Sequence, residues 1–361
     1  MYLWKNSRLT KEAPVSVNKI SVLVIDDSAL MRNLISRLIE RDSSLEVIGT
    51  AMNGRFGLVK LPRLNPDVIV LDLEMPEMNG EALALGASDF ITKPSGGESD
   101  ELNHIGNQLV QLLTVYGNNY RRNKGNSTVE SLAVLTNNGR VYEKASNAIR
   151  TENSYPQNQD WDKIKPLRKA GITEIIAIGI STGGPNALRK VFAQLDPNLK
   201  QPILVVQHMP AGFTKEFAAS LNRICPLEVK EAEEGDIIKP GRILIAPGDA
   251  HIEIEKKSLA SIIHLKDSDL VNGHKPSAGV LFNSIAKNYG HNSMAVIMTG
   301  MGKDGAREIG EIYREGGITI AQDQQSCIVY GMPRVAVEHN YIQHIVPLED
   351  MAEALCTLLI E

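Results

Sequence analysis

The chain has 361 residues, a formal net charge of −5 at pH 7, and 43% hydrophobic and 22% charged residues. This length suits two or three domains that each bury a core, and the negative charge gives no case for binding nucleic acid or an anionic membrane. Residues 1–18 contain no apolar signal segment and no run of twenty apolar residues follows, so we expect neither export nor membrane insertion. Three cysteines without metal-site spacing, Cys225, Cys327 and Cys356, favour a reduced cytoplasmic chain.

The first third of the chain predicts buried strands that each end in charged side chains. The runs are 21–25 before Asp26 and Asp27, 66–71 before Asp72, and 87–92 before Lys93. Carboxylates gathered at strand ends suit a hard divalent cation with oxygen ligands. One carboxylate is then placed to attack a phosphoryl donor while the cation and a lysine neutralise charge. The alternative is a set of ordinary strands with solvated acids in their loops.

A polar, basic and asparagine-rich segment follows, over residues 118–170. Most of it has too little apolar surface to offset the entropy lost on ordering, so we interpret it as a linker. A basic linker is able to bind nucleic acid, but this one lacks aromatic stacking partners, which makes that a weak second choice.

Three apolar runs in the second half each lead into one member of a Ser/His/Asp set. The runs 174–178, 203–207 and 294–298 precede Ser181, His208 and Asp304. In an open parallel α/β sheet, ligands bind beyond the carboxyl ends of the strands, where side chains that are distant in sequence meet. This placement favours a serine hydrolase.

The chemistry assigns a role to each member. Ser181 is the predicted nucleophile, His208 the general base and then acid, and Asp304 the carboxylate that orients the imidazole. Glycines around Ser181 let a substrate carbonyl approach the backbone. The Gly-Met-Gly turn at 300–302 offers backbone N–H groups for an oxyanion hole, with Met301 as the first candidate.

Each residue also has a simpler interpretation. The glycine-rich turn around Ser181 resembles a phosphate-binding loop, but its middle residue is serine and the next strand ends in histidine rather than in a ribose-binding acid. Taken alone, Asp304 is typical of a helix N-cap. His208, taken alone, is compatible with an ordinary surface histidine. His274 is a rival base, although it closes no obvious strand.

Near-continuous apolar runs predict a doubly wound, mainly parallel sheet for the C-terminal part of the chain. The segments 242–246, 251–255 and 261–265 lie too close together for helical crossovers, which predicts a local antiparallel hairpin. Residues 351–360 predict a closing amphipathic helix, and Cys327 is interpreted as a packing residue.

Six motifs in series resemble the chemotaxis-receptor methylesterase family (CheB). They contain Ser181, His208, Asp249 with His251, His274 with Ser277, Asp304, and the stretch 321–334. The resemblance implies that Ser181, His208 and Asp304 form a catalytic triad without a cofactor. It also implies that the enzyme hydrolyses glutamate methyl esters on chemotaxis receptors and deamidates receptor glutamines in the cytoplasm.

The N-terminal part resembles a response-regulator receiver domain of flavodoxin-like fold. The resemblance implies that Asp72 is the phospho-acceptor and that Asp27, Asp72 and the Glu74 carbonyl bind Mg²⁺. It makes Asp26 the supporting acid and Lys93 the switch lysine. We therefore predict a receiver at 20–117, a linker at 118–170 and a methylesterase domain at 171–361.

The predicted receiver is short. Only twenty residues separate Asp72 from Lys93, where receivers have a further helix and a strand ending in Ser or Thr. A strand at 88–92 is still able to follow the strand before Asp72 by a short crossover. We predict a reduced four-strand receiver that binds Mg²⁺ and has a damaged switch.

The resemblance also implies regulation. In such enzymes the unphosphorylated receiver covers the active site, and phosphorylation by the chemotaxis histidine kinase relieves the block. A damaged switch leaves the enzyme either constitutively inhibited or constitutively open. The alternative function is a catalytically silent, phospho-dependent scaffold in a signalling array.

Overall fold

The computed structural model describes residues 19–72, 75, 89, 91, 99–135 and 171–358. Its helices and strands form two compact units. The elements before residue 136 belong to the first unit and those after residue 170 to the second.

A parallel three-stranded sheet in the order β2-β1-β3 lies at the centre of the first unit. Its elements are β1 (Ile20–Ile25), α1 (Ala29–Ile39), β2 (Leu45–Ala51), α2 (Gly54–Leu64), β3 (Val68–Leu71) and α3 (Ser99–Leu135). Strand β1 is buried along almost its whole length, as a central parallel strand requires. This strand order is the beginning of the flavodoxin-like order, which confirms the predicted fold class. The predicted strand at 88–92 lies outside the described residues apart from positions 89 and 91.

Helix α3 passes residue 118, where we predicted the linker to begin, so the first part of that segment is helical. Within this polar segment, Arg121 binds a partly buried carboxylate. The guanidinium of Arg121 donates to Asp67 Oδ2 at 2.7 and 2.9 Å, and the N–H and hydroxyl of Ser21 donate to the same oxygen at 2.8 Å. Burial raises the pKa of Asp67, but the bonds from Arg121 and Ser21 outweigh it and the pKa lies below its usual value. Residues 136–170 lie outside the described residues, and the domain boundaries stay a prediction.

The second unit is built on seven parallel strands in the order β12-β11-β10-β4-β5-β7-β6. These strands are β4 (Ile175–Ile180), β5 (Ile203–Gln207), β6 (Glu228–Glu231), β7 (Arg242–Ile245), β10 (Ser293–Ile297), β11 (Ile318–Gln322) and β12 (His344–Val346). A separate antiparallel hairpin consists of β8 (His251–Lys256) and β9 (Ser261–Lys266). The helices are α4 (Gly184–Phe192), α5 (Phe213–Asn222), α6 (Ala278–Tyr289), α7 (Ile309–Arg314), α8 (Met332–Glu338) and α9 (Met351–Thr357).

The strand order reverses between β4 and β10. From β4 the chain builds outward through β5, and it later returns to β10 and builds outward in the other direction. Every residue of β4, β5 and β10 is buried, which explains their continuous apolar sequences. The sheet is therefore doubly wound and parallel, as predicted, and the reversal marks the position where such sheets bind ligands.

Of the three closely spaced segments that we predicted to form a local hairpin, only two do so. Segments 251–255 and 261–265 form the β8–β9 hairpin, as predicted. Segment 242–246 instead provides β7, which joins the main sheet in parallel between β5 and β6. The second neighbour of β7 is the charged edge strand β6. Its sequence, Glu-Val-Lys-Glu, contains no apolar run from which a strand could be predicted. The closing helix begins at Met351 and is helical to Thr357.

Candidate active site

The candidate site lies beyond the carboxyl ends of three central strands of the main sheet and contains Ser181, His208 and Asp304. Ser181 follows β4, His208 follows β5, and Asp304 lies in the loop after β10, so the three loops belong to adjacent strands. Backbone hydrogen bonds continue the pairing into the loops, from Ser181 N to Thr299 O at 3.0 Å and from His208 N to Ile180 O at 3.2 Å. Strand adjacency thus brings together residues that are far apart in sequence.

His208 and Asp304 form a buried hydrogen-bonded pair. Nε2 of His208 lies 2.8 Å from Oδ2 of Asp304, and the two side chains are 8% and 0% exposed. The carboxylate also accepts from the Ser277 hydroxyl and the Ala278 N–H, both at 2.6 Å, and from Asn272 Nδ2 at 3.0 Å. Burial raises the pKa of Asp304, but the hydrogen bond and charge of His208, with hydrogen bonds from Ser277 and Asn272, lower it to about 2. The carboxylate is therefore ionised at neutral pH and fixed in orientation.

The contact with Asp304 assigns the two nitrogens of the His208 ring. Because Nε2 faces the carboxylate, Nδ1 is left for another proton partner, and this buried atom has no hydrogen bond within the described residues. Ser181 is 9% exposed, and no hydrogen bond joins its hydroxyl to His208 in the part of the chain that the structure describes. Such bonds are commonly loose in ligand-free sites and tighten when substrate binds.

His274, the rival base, lies flat against His208. The ring centroids are 3.7 Å apart and the planes differ by 8°. Burial, followed by the charge on His208, lowers the pKa of His274 to about 4, although Asp304 acts in the opposite direction. His274 is therefore neutral at physiological pH, and it stacks on the ring that contacts Asp304.

Two glycines shape the turn that carries Ser181. Gly183 has φ of 80°, a conformation that side chains other than glycine rarely adopt. A Cβ on Gly184 would lie 1.9 Å from Oε1 of the buried Gln207. The Ser181 carbonyl accepts from Gly184 N at 2.7 Å and from Gln207 Nε2 at 3.1 Å. Because C=O and N–H point in opposite directions in a trans peptide, these bonds direct the Thr182 N–H away from Gln207.

Met301 has a similarly fixed N–H. The Gly300 carbonyl, in the same peptide, accepts from Gly331 N at 3.1 Å and Met332 N at 2.9 Å. The Met301 N–H therefore points away from residues 331 and 332. Neither this N–H nor that of Thr182 donates a hydrogen bond within the described residues. Two such backbone donors are what an oxyanion hole needs.

Sequence reasoning gave no role to several residues that support the site. Asn272 and Ser277 donate directly to Asp304. His251, which is fully buried, accepts from Ser277 N at 3.1 Å through Nδ1 and lies 3.1 Å from Asp269 O through Nε2. His251 and Ser277 belong to the motifs that resemble the CheB family, and this membership is the sequence signal that indicates their importance.

The first unit contains a carboxylate cluster. Oxygen atoms of Asp26, Asp27 and Asp72 lie within 4.8 Å of one another, and Asp26 Oδ1 accepts from Ser28 N at 2.8 Å. Three carboxylates at this spacing provide the hard oxygen donors that Mg²⁺ prefers, so the donor set fits that ion. Glu74 and Lys93, the other predicted residues, lie outside the described residues.

The cysteines are free and half-buried. Burial raises the pKa of the Cys327 thiol to about 12 and also raises that of Cys225. These thiols stay protonated at neutral pH, in keeping with packing rather than nucleophilic chemistry. Among the helices that the structure describes, none has the length and apolar character needed to span a membrane.

Comparisons with known proteins identify relatives of both parts of the chain. Residues 176–355 match the family model for the CheB methylesterase, and residues 22–84 match that for the response regulator receiver domain. Proteins named protein-glutamate methylesterase/protein-glutamine glutaminase from Treponema denticola and Treponema pallidum are 49% and 44% identical. The matches cover 93% and 94% of this chain and 97% of each relative.

A solved structure also resembles the chain. The Thermotoga maritima CheB methylesterase catalytic domain is 40% identical with a TM-score of 0.51, and the match covers 52% of this chain and 98% of that domain. Family models and full-length relatives thus identify both parts of the protein. The chain belongs to the CheB methylesterase family and carries a response regulator receiver domain before its catalytic domain.

Proposed function

We propose that this protein hydrolyses glutamate methyl esters on chemotaxis receptors to glutamate and methanol, and deamidates receptor glutamines. Both activities stand in the names of its full-length relatives. The observation that carries the proposal is the buried His208–Asp304 pair, which lies at the strand ends beside Ser181. No observation favours the alternative of a catalytically silent scaffold.

The proposed reaction begins with nucleophilic attack. His208 takes the hydroxyl proton of Ser181 through Nδ1, and the serine oxygen attacks the γ-carbonyl carbon of the methylated glutamate. The ionised Asp304 stabilises the imidazolium that forms. The carbonyl oxygen becomes an oxyanion, for which the Thr182 and Met301 N–H groups are the donors.

The tetrahedral intermediate then collapses. His208 returns its proton to the methoxide, so methanol leaves and an acyl-serine remains. Water, deprotonated by His208, attacks this ester, and the second collapse restores the serine and releases the glutamate carboxylate. With a glutamine side chain, ammonia leaves in place of methanol and the remaining steps are the same.

Substitution of the nucleophile tests the catalytic proposal. We expect Ser181→Ala to lose methanol release from methylated receptors, and a serine-directed phosphonate to label wild type at Ser181 but not the variant. Wild-type rates in Ser181→Ala would disprove the mechanism. A wild-type protein that neither reacts with the phosphonate nor releases methanol would instead support the scaffold.

The proposal for the receiver gives Asp72 the role of phospho-acceptor. Asp27, Asp72 and the Glu74 carbonyl would hold Mg²⁺, with Asp26 as the supporting acid, and the ion would supply charge neutralisation at the attacking carboxylate. The kinase partner is the chemotaxis histidine kinase, and Lys93 is the proposed switch lysine. The switch is damaged because the strand-end hydroxyl has no counterpart between Asp72 and Lys93. A cytoplasmic location completes the proposal and is tested by cell fractionation.

One measurement separates catalysis from regulation. Methanol release by the full-length protein is compared with and without Mg²⁺ and a small phosphodonor. We expect release that does not change with the donor, because the switch is damaged. Stimulation by the donor would overturn the damaged switch while supporting the hydrolase.

A further inference from the structure

Thr299 lies just after β10 and joins three loops of the candidate site. Its side chain is buried, and its hydroxyl donates to the Thr182 carbonyl at 2.9 Å and accepts from Val329 N at 3.0 Å. A longer contact of 3.4 Å to Val329 O competes for the same hydrogen. The Thr299 carbonyl accepts from Ser181 N at 3.0 Å. One residue therefore contacts the nucleophile turn and the 323–331 loop, between β11 and α8, at the same time.

The end of the 323–331 loop determines the direction of one oxyanion donor. The N–H groups of Gly331 and of Met332, the first residue of α8, donate to the Gly300 carbonyl, which directs the Met301 N–H. The Gly300 N–H donates back to Val329 O at 3.0 Å. The position of Val329 thus affects the peptide that carries Met301.

The same loop packs directly on the nucleophile turn. A Cβ on Gly183 would lie 2.6 Å from the Cβ of Ile328. Between these two segments, the Thr299 hydroxyl supplies paired hydrogen bonds, one to each side. Without the hydroxyl, the Thr182 carbonyl and the Val329 N–H would lose this shared partner in a buried environment, and each would shift to find another.

We propose that Thr299 is a positioning residue for the reaction, because its hydroxyl fixes the distance between the Thr182 and Met301 N–H donors of the oxyanion hole. The inference rests on the proposed serine-hydrolase function. Thr299 touches neither the substrate nor the nucleophilic oxygen in this role. Its loss therefore affects the rate of the chemical step more than the binding of the receptor.

Full-length Thr299→Val tests the proposal, since valine keeps the shape and loses the hydroxyl. We expect kcat for methanol release to fall by about 10- to 100-fold with KM within about twofold, because oxyanion donors act in the transition state. The rate of Ser181 labelling by the phosphonate falls in parallel. Thr299→Ser, which keeps the hydroxyl, stays within about threefold of wild type, and Thr299→Ala replaces the valine variant if valine does not fold.

Thr319 in β11 provides a matched control. It is fully buried, and its hydroxyl also donates to a backbone carbonyl, Tyr341 O at 2.6 Å, and accepts a backbone N–H, Gln343 N at 3.2 Å. We expect Thr319→Val to lower the melting temperature as Thr299→Val does but to leave kcat unchanged.

Three outcomes would overturn the inference. These are a wild-type kcat in Thr299→Val, an equal loss of kcat in both valine variants, and a serine variant as slow as the valine variant. Failure of the proposed function has a different signature, because wild type itself would then leave Ser181 unlabelled. That result would remove the basis of the inference together with the mechanism.

Discussion

The imidazole rings of His208 and His274 are stacked, with centroids 3.7 Å apart and an angle of 8° between their planes. The stack covers one face of the ring that pairs with Asp304. We expect His274→Ala to lower kcat for methanol release by about tenfold, since His208 gains freedom to rotate away from its productive orientation.

The flat ring of His274, rather than its nitrogen atoms, holds His208 in its productive orientation. His274→Phe therefore keeps kcat within about threefold of wild type. Equal losses in the two variants would show that an imidazole nitrogen is needed, as the rival-base interpretation requires. An alanine variant with wild-type kcat would show that the stack has no role in catalysis.

The lowered pKa of His274 predicts acid sensitivity of the catalytic domain. Its pKa falls from the usual 6.5 to about 4 in the folded state. The unfolded chain therefore binds the proton more readily, so stability is complete above pH 6.5 and is lost as the pH falls towards 4. The loss is on the order of 1–2 kcal/mol after allowance for solvent screening of this partly exposed ring.

Thermal unfolding of wild type and His274→Phe at pH 7 and pH 5 measures this contribution. Wild type should lose a few degrees more in melting temperature than the variant on going to pH 5. His208 and Asp304, which face His274, are present in both proteins. An equal decrease in both proteins would contradict the prediction.

Substitution of the orienting carboxylate should nearly abolish the reaction. Asp304→Asn replaces an acceptor of four close hydrogen bonds with an amide that favours the wrong tautomer of His208. We expect kcat to fall by about 10³- to 10⁴-fold, judged from such changes in other serine hydrolases. Asp196→Asn, on an exposed loop, is the control and should keep wild-type activity. Retention of more than a tenth of the activity in Asp304→Asn would contradict the assigned role.

Phosphorylation assays test the acidic cluster of the first unit. With Mg²⁺ and a labelled small phosphodonor, wild type should incorporate phosphate and Asp72→Asn should not, because only the Asp72 carboxylate is the proposed nucleophile. Equal labelling of the two proteins, or no labelling of either, would exclude Asp72 as acceptor.

The Arg121–Asp67 pair predicts that helix α3 stabilises the first unit. The side chains of Arg121 and Asp67 are 28% and 10% exposed, and removal of the guanidinium leaves a partly buried carboxylate with fewer donors. We expect Arg121→Met to destabilise this unit by about 1–3 kcal/mol, measured as a lower melting temperature. The neighbouring Arg122, which is exposed and bonds Asn119, provides the control variant Arg122→Met with little effect. Equal melting temperatures for Arg121→Met and wild type would disprove the role.

The sequence predicts the doubly wound sheet and the strand-end positions of Ser181, His208 and Asp304, because long apolar runs that stop at a reactive side chain reflect buried parallel strands. It could not show the support of Asp304 by Asn272 and Ser277. That support arises when a loop without periodicity folds onto the carboxylate.

The sequence also does not predict elements that lack a periodic pattern of apolar residues. Strand β6 is a short charged edge strand, so β7 lacked a visible partner and was grouped with the hairpin. Helix α3 continues through a polar stretch, where Arg121 binds the partly buried carboxylate of Asp67, a contact that composition alone does not reveal.

The adjacency of β5, β4 and β10 in the middle of the sheet links catalytic competence to the cooperativity of unfolding. The three proposed catalytic residues extend from strands whose every residue is buried, and such strands open only in the largest unfolding events. Local fraying at the edge strands therefore leaves the strands that carry the site in place. On heating, loss of esterase activity should therefore coincide with global melting of the catalytic domain, so residual activity would report the folded fraction.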